Sequence, residues 1–279
     1  MKVTDLYLLT ALSNLHVGRG DSNYGIVDNE VQRDPITNYP TVFASSLKGA
    51  LRETTKAALN GRTIEVFGSE VGDTRDADGK TKKLRQGDYT FHQAYLLSMP
   101  VRGETHPFYH ATTADLLREM QEQVDLLMPR ADGLSNALAN HSSLAIDTDP
   151  AAGGKEYVDE YETVRFTNEQ NTAIKQLQNK HLLDTPAAVF SAKQFGEISE
   201  RLPVIARNQL KQGISKNLFY EEIVPRRTRF YFFVERPADK DHLEEVLATL
   251  NHRIQLGANA TIGYGVCTLQ RIATTAKTQ

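Results

Sequence analysis

An α+β fold is predicted by three features of the 279-residue chain. A strand pattern opens it, a well-marked helix follows at 45–58, and a strand, helix, strand unit closes it at 228–272. Such units at each end of an elaborated middle fit a ferredoxin-like βαββαβ core.

From Lys2 to Leu15 apolar and polar residues alternate imperfectly with period two. Leu6 and Leu8 fall on one side and Tyr7, Leu9 and Ala11 on the other, which predicts a well-buried central strand. Three glycines and small polar residues between His16 and Gly25 predict a loop. Ile26 to Arg33 reads as extended, and Asp34, Pro35, Asn38 and Pro40 supply turn chemistry for a short hairpin. Ser45 or Ser46 can cap the first helix, whose buried stripe is Leu47, Ala50, Leu51, Thr54 and Ala58, with Lys48, Arg52 and Lys56 on another face. Gly72 to Gly87 reads as an exposed loop, and Asp88 to Met99 as a strand ending at Pro100. In the middle, Thr112 or Thr113 caps a helix carrying Leu116, Leu117, Met120, Val124 and Leu127, and Asn168 to Leu183 offers a second helix. Leu202 to Val224 reads as a long hairpin turning near Gln212-Gly213. Strand Thr228 to Glu235, helix Asp239 to Arg253, strand Gly263 to Ile272 and a mostly polar tail complete the pattern.

Lysine plus arginine number 32 and aspartate plus glutamate 35, a net charge of −3. Composition therefore does not point to a polyanion binder, and any such role rests on local patches. The single cysteine, Cys267, excludes an internal disulfide and a multi-cysteine zinc site. No apolar run approaches the ~20 residues that span a bilayer, so a cytoplasmic chain without a membrane partner is expected.

Lys48 falls near the start of its helix, where the positive dipole end disfavours a cation by ~0.3–1 kcal/mol. An anion on the amides behind Ser45 and Ser46 would reverse that cost, with Arg52 and Lys56 extending the stripe. A solvated helix face has the same spacing. The loop Gly257 to Gly265 can bring backbone amides to phosphates, with Tyr264 available for stacking. It lacks the Walker lysine and the full GxGxxG spacing, and an ordinary tight connection is its other reading. Asp28 ends a glycine-rich loop, where a carboxylate can reach a ligand, hold a metal or orient a proton transfer, and can equally be a cap or a solvated group. His16 is open to the same alternatives. The run Asp73 to Gly79 lacks the glutamate of a calcium loop and reads as solvated. Glu221 and Glu222 add carboxylates to a site or are simply exposed. Arg226, Arg227 and Arg229 bind phosphate or pair with those glutamates.

Taken in order and spacing, His16-Val17-Gly18-Arg19-Gly20, Gly25-Ile26-Val27-Asp28-Asn29-Glu30-Val31-Gln32-Arg33-Asp34-Pro35-Ile36-Thr37 and Ser45-Ser46-Leu47-Lys48-Gly49-Ala50-Leu51-Arg52 resemble the start of RAMP-superfamily backbone subunits of type III CRISPR effector complexes. Leu97 to Arg102, Asn217 to Pro225 and Leu256 to Gly265 favour the type III-B, or Cmr, version over type III-A. The Pro-Gly that such chains carry before the serine pair is Phe43-Ala44 here.

The resemblance implies an RRM-type palm at 1–111 and 225–279, a mostly helical insertion at 112–201 and a β-hairpin thumb at 202–224. It implies copies stacked in a helical filament along a CRISPR RNA, with other type III subunits as partners. The thumb would flip out a nucleotide of the guide–target duplex at regular intervals, freeing the adjacent 2′-hydroxyl for in-line attack on complementary target RNA. By the same resemblance Asp28 is the catalytic aspartate of a metal-dependent endoribonuclease using magnesium or manganese, binding the ion or deprotonating the 2′-hydroxyl, with His16 and Glu221 as helpers. Ser45, Ser46, Lys48, Arg52, Gly257, Asn259, Gly263, Tyr264 and Gly265 would hold the guide RNA. Two other readings are a non-catalytic guide-binding scaffold, and a free-standing ribonuclease with His16 as general base.

Overall fold

A computed structural model describes residues 1–20, 27–70, 84–129 and 131–275. The chain opens with β1 (Lys2–Ala11) and, after a bridged segment, enters α1 (Ala44–Thr55) and the short α2 (Thr63–Phe67). β2 (Thr90–Phe91), β3 (Tyr95–Val101) and β4 (Tyr109–Thr113) lead to α3 (Ala114–Leu127) and α4 (Asp132–Leu138). The two-residue strands β5 (Ala151–Ala152), β6 (Tyr157–Val158), β7 (Tyr161–Glu162) and β8 (Val164–Arg165) precede α5 (Asn168–Asn179), β9 (Ala187–Phe190) and α6 (Ala192–Glu200). Next come β10 (Val204–Lys211), β11 (Ile214–Glu222), β12 (Arg229–Pro237), α7 (His242–Thr249), β13 (Arg253–Gln255) and β14 (Val266–Thr274).

A large mixed sheet runs β13-β14-β1-β12-β3-β4-β9-β5-β8, with β2 beside β12. β1 is central as expected, antiparallel to β12 with Leu6 opposite Phe233 and to β14 with Leu9 opposite Leu269. Its double apolar pattern follows from cover on both faces. Tyr7, Leu9 and Ala11 share a core with Leu47 and Leu51 of α1 and Leu243 and Leu247 of α7. Leu6 and Leu8 share a second core with Leu117, Met120 and Val124 of α3 and Ile174 and Leu177 of α5. Each such fully buried leucine contributes about 1.5–3 kcal/mol of transfer free energy.

Local signals hold for the starts of α3, α5 and α6. Thr113 caps α3 by accepting from the Leu116 amide at 3.2 Å, and Thr167 and Ser191 form capping boxes with Gln170 and Gln194. α1 departs from the expected cap. It begins at Ala44, which puts Ser45 and Ser46 inside its first turn. The role passes to Gln32, whose Oε1 accepts from the Phe43 amide at 2.7 Å while its Nε2 donates to Ser46 Oγ at 2.8 Å and the Gly18 carbonyl at 3.1 Å. A cap supplied from a separate segment leaves no mark in the four-residue window that capping rules read.

The strand expected at Asp88 to Met99 is two strands, and the second runs through Pro100 to Val101. Pro100 faces His110, whose amide donates away from it, to the Pro186 carbonyl at 2.7 Å. The pair is thus a non-hydrogen-bonded one, where a missing N–H costs the ladder nothing. The stretch 112–201, expected to be mostly helical, also gives β5, β8 and β9 to the main sheet, β9 lying parallel to β4. Its Ala-Ala-Val-Phe run is too short for periodicity to declare. Helices α5 and α7 stop short of their expected ends where His181, and Asn251 and His252, take positive φ. The loop expected at Gly72 to Gly87 and the Asp73 to Gly79 run lie mostly and wholly outside the described residues.

Among the named strands β10 and β11 pair only with each other, through a turn in which Gln212 (φ 53°) and Gly213 (φ 78°) are both left-handed. This is the type I′ geometry that matches strand twist. Ile214 and Leu218 are exposed on the resulting ribbon.

Candidate nucleic-acid interface and active site

The ribbon is fastened to the body by two adjacent buried glutamates, an arrangement stable only when both are paired. Consecutive strand residues point to opposite sides, so Glu221 and Glu222 clasp different segments. Glu221 accepts from Arg207 Nε of β10 and from Asn259 Nδ2 at 2.9 and 3.0 Å, and faces His16 Nε2 at 3.6 Å. Glu222 accepts from Arg33 at 2.5 Å and from the Val31 amide at 3.0 Å. His16 is buried and its Nδ1 lies 2.7 Å from the Glu222 carbonyl. A carbonyl only accepts, so Nδ1 carries the proton and Nε2 is turned to Glu221.

The loop after β13 is built around the same histidine. Gly257 has φ 77°, and a Cβ there would stand 2.2 Å from the His16 carbonyl, which accepts from the Ala258 amide at 2.9 Å. Asn259 is left-handed at φ 66° and turns its amide group to Glu221. Gly265 packs as closely, its absent Cβ 2.0 Å from the Leu256 carbonyl, whereas Gly263 faces open space. Tyr264 lies under the Arg207 guanidinium, whose central carbon is 4.7 Å from the ring centroid. One face of that ring, expected to be available for stacking, is therefore taken by a cation–π contact.

Asp28 is exposed at the foot of the ribbon. Its amide donates to the Tyr220 carbonyl at 3.0 Å and its Oδ2 accepts from the Tyr220 amide at 2.7 Å. Asn29 bridges to Glu221 next in line. Among the described residues the second Asp28 oxygen has no partner, so the carboxylate is fixed by one oxygen and offers the other.

A cleft of about 630 Å³ opens beside this root, between Val17 and Gly18, Ser45, Ser46 and Gly49 of α1, and Gly257. The first intrahelical bond of α1 runs from the Leu47 amide to the Phe43 carbonyl at 3.0 Å. The amides of residues 44–46 stand outside the helical ladder, at the positive end of the dipole. Lys48 and Arg52 do not line the cleft. Lys48 is half-buried with no ion pair among the described residues, while Arg52 donates to the Gly68 carbonyl at 2.8 Å and pairs with Glu70 at 2.7 Å.

The structure thus gathers Asp28, His16, Glu221, Asn259 and Tyr264 at the ribbon's root, and Ser45, Ser46 and Gly257 at the cleft. Arg207, Arg33, Asn29 and Gln32 are members the sequence reading missed. Arg226, Arg227 and Arg229 do not pair with the two glutamates: Arg229 is turned to Asp184 at 3.3 Å and the His181 carbonyl at 2.6 Å, and the other two are exposed. Two buried carboxylates call for two cations, but that burial shows only in the structure, so nothing along the chain pointed to Arg207 and Arg33. First-turn amides with no partner among the described residues and an exposed ribbon suit a polyanionic backbone, to which the Asp28 carboxylate adds a negative charge that only a proton or a cation between them makes compatible.

The chain belongs to the RAMP superfamily, whose family model matches residues 8–268. It is similar to the CRISPR system CMR subunit Cmr4 of Saccharolobus solfataricus, 27% identical with 95% of each chain covered. It is likewise similar to the CRISPR system Cmr endoribonuclease Cmr4 of Pyrococcus furiosus, 24% identical over 92% of each. Among solved structures it resembles a chain of the type III-B Cmr-beta complex bound to cognate target RNA, with a TM-score of 0.76 at 21% identity and 96% and 97% of the two chains covered.

Proposed function

We propose that this chain is a backbone subunit of a type III-B CRISPR effector complex, binding CRISPR RNA, stacking on copies of itself and cleaving complementary target RNA at regular intervals. The observation that carries the catalytic part is Asp28, exposed and held through Tyr220 at the foot of a projecting ribbon. In this reading β1, α1, β12, α7 and β14 belong to a ferredoxin-like, RRM-type palm, 112–201 is the insertion and 202–224 is the thumb. Likeness over 92% of each chain to a Cmr endoribonuclease supports it.

The guide lies along the cleft, its phosphates on the first-turn amides of α1 and the Gly257 to Gly265 loop, with Lys48 adding charge nearby. The thumb unstacks a nucleotide, which frees the adjacent 2′-hydroxyl to line up with its phosphorus. Attack forms the O2′–P bond and breaks the P–O5′ bond, leaving a cyclic phosphate and an O5′ that takes a proton from water to become the 5′-hydroxyl. Asp28 presents its open oxygen where the 2′-proton leaves. His16 and Glu221 act through the frame, holding the ribbon's root and hence Asp28.

Among the described residues no three His, Cys, Asp or Glu side chains group to hold a metal ion. One exposed carboxylate still fits magnesium or manganese, because such ions keep several waters and bind one or two carboxylates plus substrate phosphate. In the alternative use of that same open oxygen Asp28 would hold the ion rather than take the proton, and the ion when bound would supply charge neutralisation at the phosphodiester.

Reconstituted complex carrying wild-type or Asp28→Ala chain, given guide-complementary RNA with magnesium, manganese or EDTA, tests this. Regularly spaced, metal-dependent cuts that vanish in the variant while binding persists are expected. Unchanged cutting by Asp28→Ala removes the assigned role, and target binding without any cuts by wild type leaves a scaffold.

A further inference from the structure

Two surface features of opposite character sit at opposite ends of the same two elements. At the N-terminal ends of β3 and α6, a cleft lined by Tyr95 and Ala192 is bordered by Asp34, Glu119 and Glu122, and Ile36 stands on its edge 92% exposed. At their C-terminal ends, a pocket of about 420 Å³ has an apolar floor of Met99, Val101, Phe108 and Ile198. The seven-residue β3 separates the two by about 20 Å.

A single exposed isoleucine is ordinary; this one is presented rigidly. Asp34 Oδ1 accepts from the amides of Ile36 and Thr37 at 3.0 Å each, and Arg33 donates to the Asn38 carbonyl at 2.9 Å across the turn. Little conformational freedom is left to lose on docking. Charges around the two features are complementary. Near Ile36, Arg118 is committed to Asp115 at 2.6 Å, so Asp34, Glu119 and Glu122 leave an acidic excess. Burial and the facing Asp34 and Glu122 carboxylates hold Glu119 above the usual carboxylate range. Around the pocket, Arg201 is spent on Asp159 and Glu160, while Arg102, Arg226 and Arg227 are exposed and have no ion pair among the described residues.

We propose that the Ile36 turn of one copy seats in the apolar pocket of a second copy, with the acids beside Ile36 meeting Arg102, Arg226 and Arg227. This rests on the reading of the chain as a stacking subunit and supplies its contact. A knob at one end and a socket at the other make a head-to-tail interface, which propagates rather than closing at two copies. The arginines alone would also suit RNA, but the apolar floor and the matching rigid side chain favour protein.

The test measures the mass distribution of the full-length chain, without RNA and with a single-stranded RNA. Ile36→Asp removes the knob, and the double variant Arg226→Glu with Arg227→Glu disables the socket. Wild type should form oligomers, each variant should weaken association at least tenfold, and an equimolar mixture of the two should give dimers and nothing longer, since one knob and one socket remain. The mixture also controls for folding. Variants that oligomerise like wild type, or a mixture no larger than its parts, overturn the proposal. So does an arginine variant that still oligomerises but binds RNA more weakly, which makes the pocket an RNA site. A wild type that is monomeric in both conditions instead defeats the stacking reading itself.

Discussion

Replacing Glu221 with alanine tests whether the ribbon's root is held by buried charge. The side chain is 5% exposed and Arg207 is 16% exposed. Truncation removes the Arg207 and Asn259 hydrogen bonds and leaves a guanidinium whose Nη2 already lacks a partner. Breaking a buried pair costs about 3–5 kcal/mol, and the partial solvation of Arg207 places this case at about 3 kcal/mol. At about 2–4 °C per kcal/mol for a chain of this size, the melting temperature should fall by about 6–12 °C. Scanning fluorimetry reads the shift, and limited proteolysis should show new cleavage in β10 and β11. The companion Glu221→Ala with Arg207→Met should recover most of the loss, because no uncompensated charge then remains. A single variant that melts within about 1 °C of wild type, with a protease-resistant ribbon, would refute the reasoning.

Three further outcomes follow from separate features. Gly257→Ala should be strongly destabilised, by the left-handed φ of 77° and by the 2.2 Å approach to the His16 carbonyl, whereas Gly263→Ala, also left-handed at φ 83° but facing open space, should lose only about 1–2 kcal/mol; paired melting curves decide. Lys48→Ala should weaken guide RNA retention and lower the salt dependence of binding by about one unit of slope with no change in melting temperature, read by titration at several salt concentrations. Burial pushes the Cys267 thiol up to about 12, so at pH 8 it stays protonated and should resist a thiol-reactive dye until the chain unfolds; fast labelling of native protein would contradict its placement.

Elements with local signals were readable in advance. β1 shows its two apolar faces, α3 its Thr113 cap and buried stripe, and the ribbon its Gln212-Gly213 turn. Where the deciding partner is remote, reading along the chain falls short. The cap of α1 comes from Gln32, and β9 becomes a strand only because β4 offers it an edge. Asp28, His16 and Glu221 were visible as residues with several uses each. Nothing local says that Asp28 is clasped by Tyr220, or that His16 is gripped from both sides of the ribbon's root.

By itself the sequence determined the apolar stripes, the Gln212-Gly213 turn and, through the order of its motifs, the family, because each depends on neighbours along the chain. Tertiary structure alone decided which charges answer the buried glutamates. Arg226, Arg227 and Arg229 lie a few residues away and do not, while Arg33 reaches Glu222 across 189 positions of sequence. Coulomb attraction and hydrogen bonding depend on distance in space, and strand register sets that distance.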